Sequence, residues 1–209
     1  MILTLLIGIF CEAFLSELHA LAVLDWLPQN EFDESTPLET IVTRENEMTW
    51  EIRTSTWSGL SGSLFKQFYG KGMEGLCPPH LWRRLQSLMQ QRNFIAHGMP
   101  VGVESVTDWI GDSAAVKSEE STYYKESAFT VIVEDGVIPE PSPETSPYSV
   151  YSARLCSYYL STAGELCTFM AKLIRDLGYT MPEDIYDAWA QQFHTRTQEY
   201  ENSTKGTGA

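Results

Sequence analysis

Basic side chains are scarce in this chain of 209 residues: 14 Lys and Arg stand against 28 Asp and Glu, a net charge of −14 with a pI near 4.6. Broad, non-specific nucleic-acid binding needs a cationic surface that releases phosphate counterions, so that class is excluded and any contact with nucleic acid must be local. Cysteine is equally sparse. Cys11, Cys77, Cys156 and Cys167 lack the paired spacing of a disulfide framework, which leaves buried free thiols in a reducing compartment as the expectation. Cys77-Pro-Pro-His80 has a metal-like spacing but no second Cys/His pair to complete a zinc site, so it reads as a turn. The glycine-rich "GKGMEG" at 70–75 lacks the Gly-Lys-Ser/Thr ending of a phosphate loop and reads as a flexible connection. There is no ligand cluster and no carboxylate pair of the kind a dehydratase or metal hydrolase uses, and no cofactor is expected.

Long apolar runs are also interrupted. The stretch "MILTLLIGIFCEAFLSELHALAVLDWLP" has no basic region ahead of it, and Glu12, Glu17 and Asp25 break it before it reaches bilayer length. A core helix of a cytoplasmic protein is expected, with no membrane partner. Its first turns are apolar nearly all round, which predicts deep burial or an oligomer interface.

What is present is helical periodicity. It predicts helices over 2–26, ended by Pro28; over 55–69, stopped by Gly70; from Pro78-Pro79 to Gly98; and over 149–178, where Lys172, Arg175 and Gly178 form a cationic last turn and a glycine stop. A further helix follows Pro182, and "NSTKGTGA" reads as a disordered tail. Between the third and fourth helices, "SAFTVIVEDGVIP" alternates and is β-branched around Asp135-Gly136, which predicts a hairpin, and "PEPSPETSP" reads as an acidic proline-rich linker. The fold class is therefore mainly α: a helical bundle with a partly β, acidic insertion between its last two core helices. A helical domain spans 1–181, with the insertion at 101–148, and the C-terminal helix and tail span 182–209.

The basic residues that do occur cluster. Lys66, Lys71, Arg83, Arg84 and Arg92 face only Glu74 between 64 and 100, whereas acids fill 31–51 and 104–144. Within that segment lies "MQQRNFIAHGMP". Gly98 and Pro100 end a helix here, which places His97 in the last turn, near the negative end of the helix dipole, where an imidazolium is favoured. Arg92 offers a planar fork suited to phosphate. A phosphate-binding cation and a proton-transferring His are what RNA cleavage by its own 2′-hydroxyl requires. One His cannot readily serve as base and acid together, and a two-fold dimer would supply two.

"RNFIAHG" resembles the R-x4-H signature of the HEPN superfamily (higher eukaryotes and prokaryotes nucleotide-binding), in the RNxxAHG form found in toxin and phage-defence ribonucleases. Arg92 and His97 match the two signature positions and Asn93 the polar residue after the Arg. The resemblance implies an all-α bundle over roughly 1–100 and 149–178. It also implies a homodimer whose motifs meet at the interface, and metal-independent endonuclease activity that leaves a cyclic phosphate. Arg92 and His97 would then be catalytic, with Asn93 and Glu12 in support. Lys66, Lys71, Arg83 and Arg84 would be available to RNA, and an antitoxin or defence-system protein would be a partner. The R-x4-H-x-Tyr variant is absent, since Met99 stands at the Tyr position. The plainer reading is a salt-bridged Arg and a capping His on a non-catalytic bundle that binds a partner protein or nucleotide. Trp57 and Trp82 sit at core spacing, which favours packing over base stacking, and Trp50 beside its charged neighbours fits neither pattern.

Overall fold

A computed structural model of the chain describes residues 1–96, 129–139 and 151–179, the backbone alone of 97, 105–110, 113–118 and 127–128, and the isolated residues Thr195, Gln198 and Asn202. The described chain is mainly helical. Helix α1 (Ile2–Asn30) is its axis, burying Ile7, Cys11, Phe14, Leu15, Leu18 and Ala22 at helical spacing against α6 (Pro79–His97) and α8 (Ala153–Leu177). It is long and apolar enough to cross a bilayer, yet half of its most apolar stretch is buried inside the bundle. Pro28 does not end it as the sequence predicts. A proline this close to the end removes one ladder bond, and the freed last turn is closed by Asn30, whose Nδ2 donates to Trp26 O at 2.8 Å, and by Glu31 N–H to Leu27 O at 3.0 Å.

Helix α2 (Leu38–Thr54) has no counterpart in the sequence reading. It turns only Met48 and Ile52 fully inward, against α1, and carries Leu38, Val42 and Trp50 on exposed surface. The expected 55–69 helix is real but irregular. Helix α3 (Trp57–Gly59) runs through a π-helical turn (Leu60–Leu64) into α4 (Phe65–Tyr69), which stops at Gly70 with φ 83°, a left-handed cap that only glycine adopts freely. His19 bridges this turn. Its Nε2 donates to Leu60 O at 2.8 Å and its Nδ1 accepts from the Tyr69 hydroxyl at 3.3 Å, a pattern that a neutral Nε2–H tautomer satisfies. Burial pushes the His19 imidazole down to about 4, against the opposing pull of the Leu60 carbonyl.

After the short α5 (Met73–Leu76), which occupies part of the expected flexible connection, α6 starts on Pro79, and α8 is capped by Ser152, whose hydroxyl accepts from Leu155 N–H at 3.3 Å. Gly178, with φ 72°, closes α8 as expected.

The hairpin expected at 127–139 is not there. Ser127–Glu134 is helix α7, which packs on α6 and buries Phe129 and Ile132, three residues apart; Asp135 and Gly136 end it as a turn, with Gly136 N–H bonded to Val133 O at 2.8 Å. Strict alternation would have put Phe129 and Ile132 on opposite faces. A short apolar run does not by itself distinguish the two periods, and here packing against α6 decides for the helix. Phe129, Ile132, Val137 and Ile138 belong to the main core, so this part of the expected insertion is built into the bundle. Strands β1 (Ser105–Ile110) and β2 (Ser113–Ser118) pair with each other antiparallel, at a different place from the expected hairpin. The proline-rich linker lies outside the described residues, as do the expected C-terminal helix and tail apart from Thr195, Gln198 and Asn202, which are helical and exposed.

Candidate functional site

The C-terminal half of α6 lies across α1. Gly8 makes the crossing possible: a Cβ built there would stand 2.8 Å from Arg92 Cβ and 2.9 Å from Arg92 Cγ, closer than real contacts allow. The Arg92 stem therefore runs over a notch in α1. One turn further along the same face of α1, Glu12 presents the carboxylate that pairs with Arg92 Nη2. The second guanidinium nitrogen, Nη1, donates to Asn93 Oδ1 at 2.6 Å.

Glu12 has a second task. Its Oε1 accepts the backbone N–H of Trp57 at 2.8 Å, so one carboxylate caps the start of α3 with one oxygen and holds Arg92 with the other. The side chains of Arg92 and Glu12 are 22% and 19% exposed, so the pair is neither sealed in the core nor fully solvated. Next to Arg92, Gln91 is fully buried. Its Oε1 accepts from the Tyr151 hydroxyl at 2.9 Å, and its Nε2 has no partner among the described residues.

The structure thus gathers Glu12, Arg92 and Asn93. His97 is the last residue of α6, about 140° around the helix from Arg92, so one copy of the chain does not turn both positions to the same side. The other cations are placed differently. Lys66 and Lys71 are exposed, and no ion pair or hydrogen bond among the described residues joins them to Arg92. Arg83 pairs with Glu134 on the surface. Arg84 is a strut between helices: it donates to Asp135 at 3.1 Å and Glu165 at 3.0 Å and lies over the Tyr158 ring, 4.9 Å from its centre. The Tyr158 hydroxyl donates to the same Asp135 oxygen at 2.6 Å. Burial acts to raise the Asp135 carboxyl, but Tyr158, Arg84 and Arg83 outweigh it and hold that carboxyl below its ordinary range.

No group of three or more potential metal ligands occurs among the described residues. Cys77 ends α5 and is buried, and burial with the nearby Glu165 charge pushes its thiol up to about 12; His80 is exposed, 3.5 Å from Glu165. Burial also drives the Cys11 thiol far above its ordinary value and Cys167 up to about 12, as expected of inert core thiols. Trp57 is buried, Trp82 half-buried and Trp50 71% exposed. Sequence reasoning missed Gly8, and the only available signal was a glycine four residues before Glu12 on an otherwise apolar helix.

Fold and site together define a mainly α bundle in which a carboxylate on the first helix orients an arginine on a later core helix. The chain matches no family model, no curated protein and no solved structure.

Proposed function

We propose that the chain is a metal-independent endoribonuclease of the HEPN type, part of a toxin-antitoxin or antiviral defence system in the cytoplasm, acting on RNA as a homodimer. The observation that carries this reading is the part-exposed Arg92 side chain, its guanidinium oriented by Glu12 and Asn93, on the helix that ends at His97. A guanidinium held in this way is preorganised for the extra negative charge of a phosphorane. One His97 takes the proton of the 2′-hydroxyl, whose oxygen attacks the adjacent phosphorus. The second copy's His97 protonates the departing 5′-oxygen, leaving a cyclic phosphate and a free 5′-hydroxyl.

The need for two copies has support in α1. Ile2, Leu6 and Ile9 follow one another at helical spacing on its outer face, 71%, 53% and 45% exposed, and Ile9 neighbours Glu12 three residues on. An apolar stripe at the rim of the Glu12–Arg92 pair is where a second copy would bring its own pair close.

The test is incubation of the purified chain and its Arg92→Ala and His97→Ala variants with mixed RNA in the presence of chelator. Cleavage by the wild type, reduced at least about 100-fold in each variant, is the expected result. RNA left intact by the wild type, or cut equally by all three proteins, overturns the proposal.

A second reading, a non-catalytic bundle that binds a partner protein or nucleotide, is favoured by one observation: Arg92 already has a carboxylate and an amide as partners. Expression toxicity separates the two. Toxicity that disappears in His97→Ala supports the nuclease, and identical growth of wild type and variant supports the scaffold.

A further inference from the structure

Trp50 stands on α2, a helix that turns only Met48 and Ile52 fully inward, and the outer surface of α2 is ordered in rows. Residues four apart on a helix form a continuous ridge. Leu38, Val42, Asn46 and Trp50 make one such ridge, and its apolar members are 75%, 47% and 71% exposed. The adjacent ridge is Glu39, Thr43, Glu47 and Glu51, exposed along its whole length. On the other side, Ile41, Glu45, Thr49 and Arg53 are half-buried up to Arg53 and carry one charge of each sign. Helix α2 therefore shows solvent an apolar row about 18 Å long, at about 1.5 Å per residue, bordered on one side by an acidic row.

Folding accounts for neither row. Met48 and Ile52 anchor α2 on α1, and Arg44 ties it to Glu31 with two bonds, Nε at 2.8 Å and Nη2 at 3.2 Å. Val42 and Trp50 are poorer helix formers than Ala, Glu or Lys, so left in water they weaken the helix that carries them. Single exposed apolar side chains are ordinary on a surface, but three in one ridge, one of them a tryptophan, mark an interaction face. The carboxylates are uncommitted as well. The Glu39 and Glu51 side chains have no ion pair or hydrogen bond among the described residues, and Glu47 has a 3.4 Å surface contact with Arg44, of a kind that contributes little.

Charge decides what fits this face. The acidic row repels phosphodiesters and anionic lipid surfaces. A second copy paired through the same face by a two-fold axis would set carboxylates against carboxylates. A helix with an apolar ridge to pack beside Leu38, Val42 and Trp50, and with Lys or Arg on the flank that meets Glu39, Glu47 and Glu51, satisfies both rows.

We infer that the outer face of α2 is a docking surface for a basic amphipathic helix of a partner protein, with Trp50 as the apolar anchor and the acidic row setting register and specificity. None of these residues is among those assigned to RNA, so the docking face does not depend on the ribonuclease reading.

The test uses the full chain and a labelled synthetic peptide of about 18 residues, roughly five turns of helix, with leucines along one ridge and lysines along the next. A counterpart carries glutamates in place of the lysines. Fluorescence anisotropy should show binding of the lysine peptide and none of the glutamate peptide. Val42→Ser should weaken that binding, and Trp50→Ser should weaken it at least about tenfold. Joint reversal of Glu47→Lys and Glu51→Lys should turn the preference to the glutamate peptide, which general attraction to a chain of net charge −14 cannot do. If circular dichroism shows that Trp50→Ser has lost helix, Val42→Ser and the charge reversal still decide. A lysine peptide that does not bind, or that binds every variant as it binds wild type, overturns the docking face. So does finding that the same substitutions abolish binding of single-stranded RNA or of phosphatidylserine vesicles, or turn a dimeric chain monomeric, since each names a different occupant. Lysine-peptide binding by a chain that cuts no RNA keeps the docking face and removes the nuclease, and cleavage without that binding does the reverse.

Discussion

Glu12 serves two helices with two oxygens, and its substitutions should separate the two tasks. Glu12→Gln keeps a carbonyl oxygen for the Trp57 amide but removes the charge opposite Arg92, and should lower stability by about 1–2 kcal/mol, read from denaturant midpoints. Glu12→Ala also uncaps α3 and should cost about 1 kcal/mol more. If the two variants are equally stable, the carboxylate does not hold α3. Gly8 gives a steric counterpart. Gly8→Val drives a side chain into the Arg92 stem, so a loss of about 1–3 kcal/mol with displacement of the guanidinium is expected, the ordinary cost of overpacking. Neither partnership could be read from residue types. Arg92 and Asn93 stand out by resemblance, and Glu12 as an acid on an apolar helix, but a sequence does not say which side chain will cross a glycine eighty-four positions away.

At the scale of elements, the seam between α1 and the π-helical turn makes stability depend on pH. His19 is neutral in the fold with a pKa of about 4 against 6.5 for an ordinary imidazole. Between these values the unfolded chain binds the proton and the folded chain does not, so stability is complete above about pH 6.5 and falls as the pH drops toward 4. The decline should amount to about 3 kcal/mol, since each pKa unit corresponds to about 1.4 kcal/mol. His19→Gln, with an amide that can donate to Leu60 O and accept from Tyr69, should flatten this slope in urea melts taken across that range. An unchanged slope would mean that other groups carry it. The elements also show why some segments were legible and others not. Pro79, Gly70 and Gly178 mark helix ends through backbone geometry that needs no tertiary information. Helix α2 turns only Met48 and Ile52 fully inward from seventeen residues, too few to produce a periodic signal among its charges. Helix α7 is β-branched and eight residues long, and only the face α6 offers it selects the helix.

At the scale of the whole molecule, the outer face of α1 should set the oligomeric state. Leu6→Glu and Ile9→Glu place charges in the exposed stripe without touching its buried side. Light scattering should show dimeric wild type and monomeric variants, and the monomers should lose RNA cleavage while keeping their helical circular dichroism. Monomeric wild type that still cuts RNA would require both proton transfers within one chain. In the sequence the proposed dimer rests on the resemblance and on the all-round apolarity of the first turns, and the structure adds the exposed Ile2, Leu6 and Ile9.

The shared Glu12 carboxylate also has a thermodynamic corollary. An anion that draws Arg92 away from it must alter how firmly the other oxygen grips the peptide nitrogen at the head of α3, and by reciprocity anything that frays that head must change anion affinity by the same factor. Deuterium uptake at the Trp57 amide would thus be a gauge of any anion that engages Arg92, readable without following any reaction.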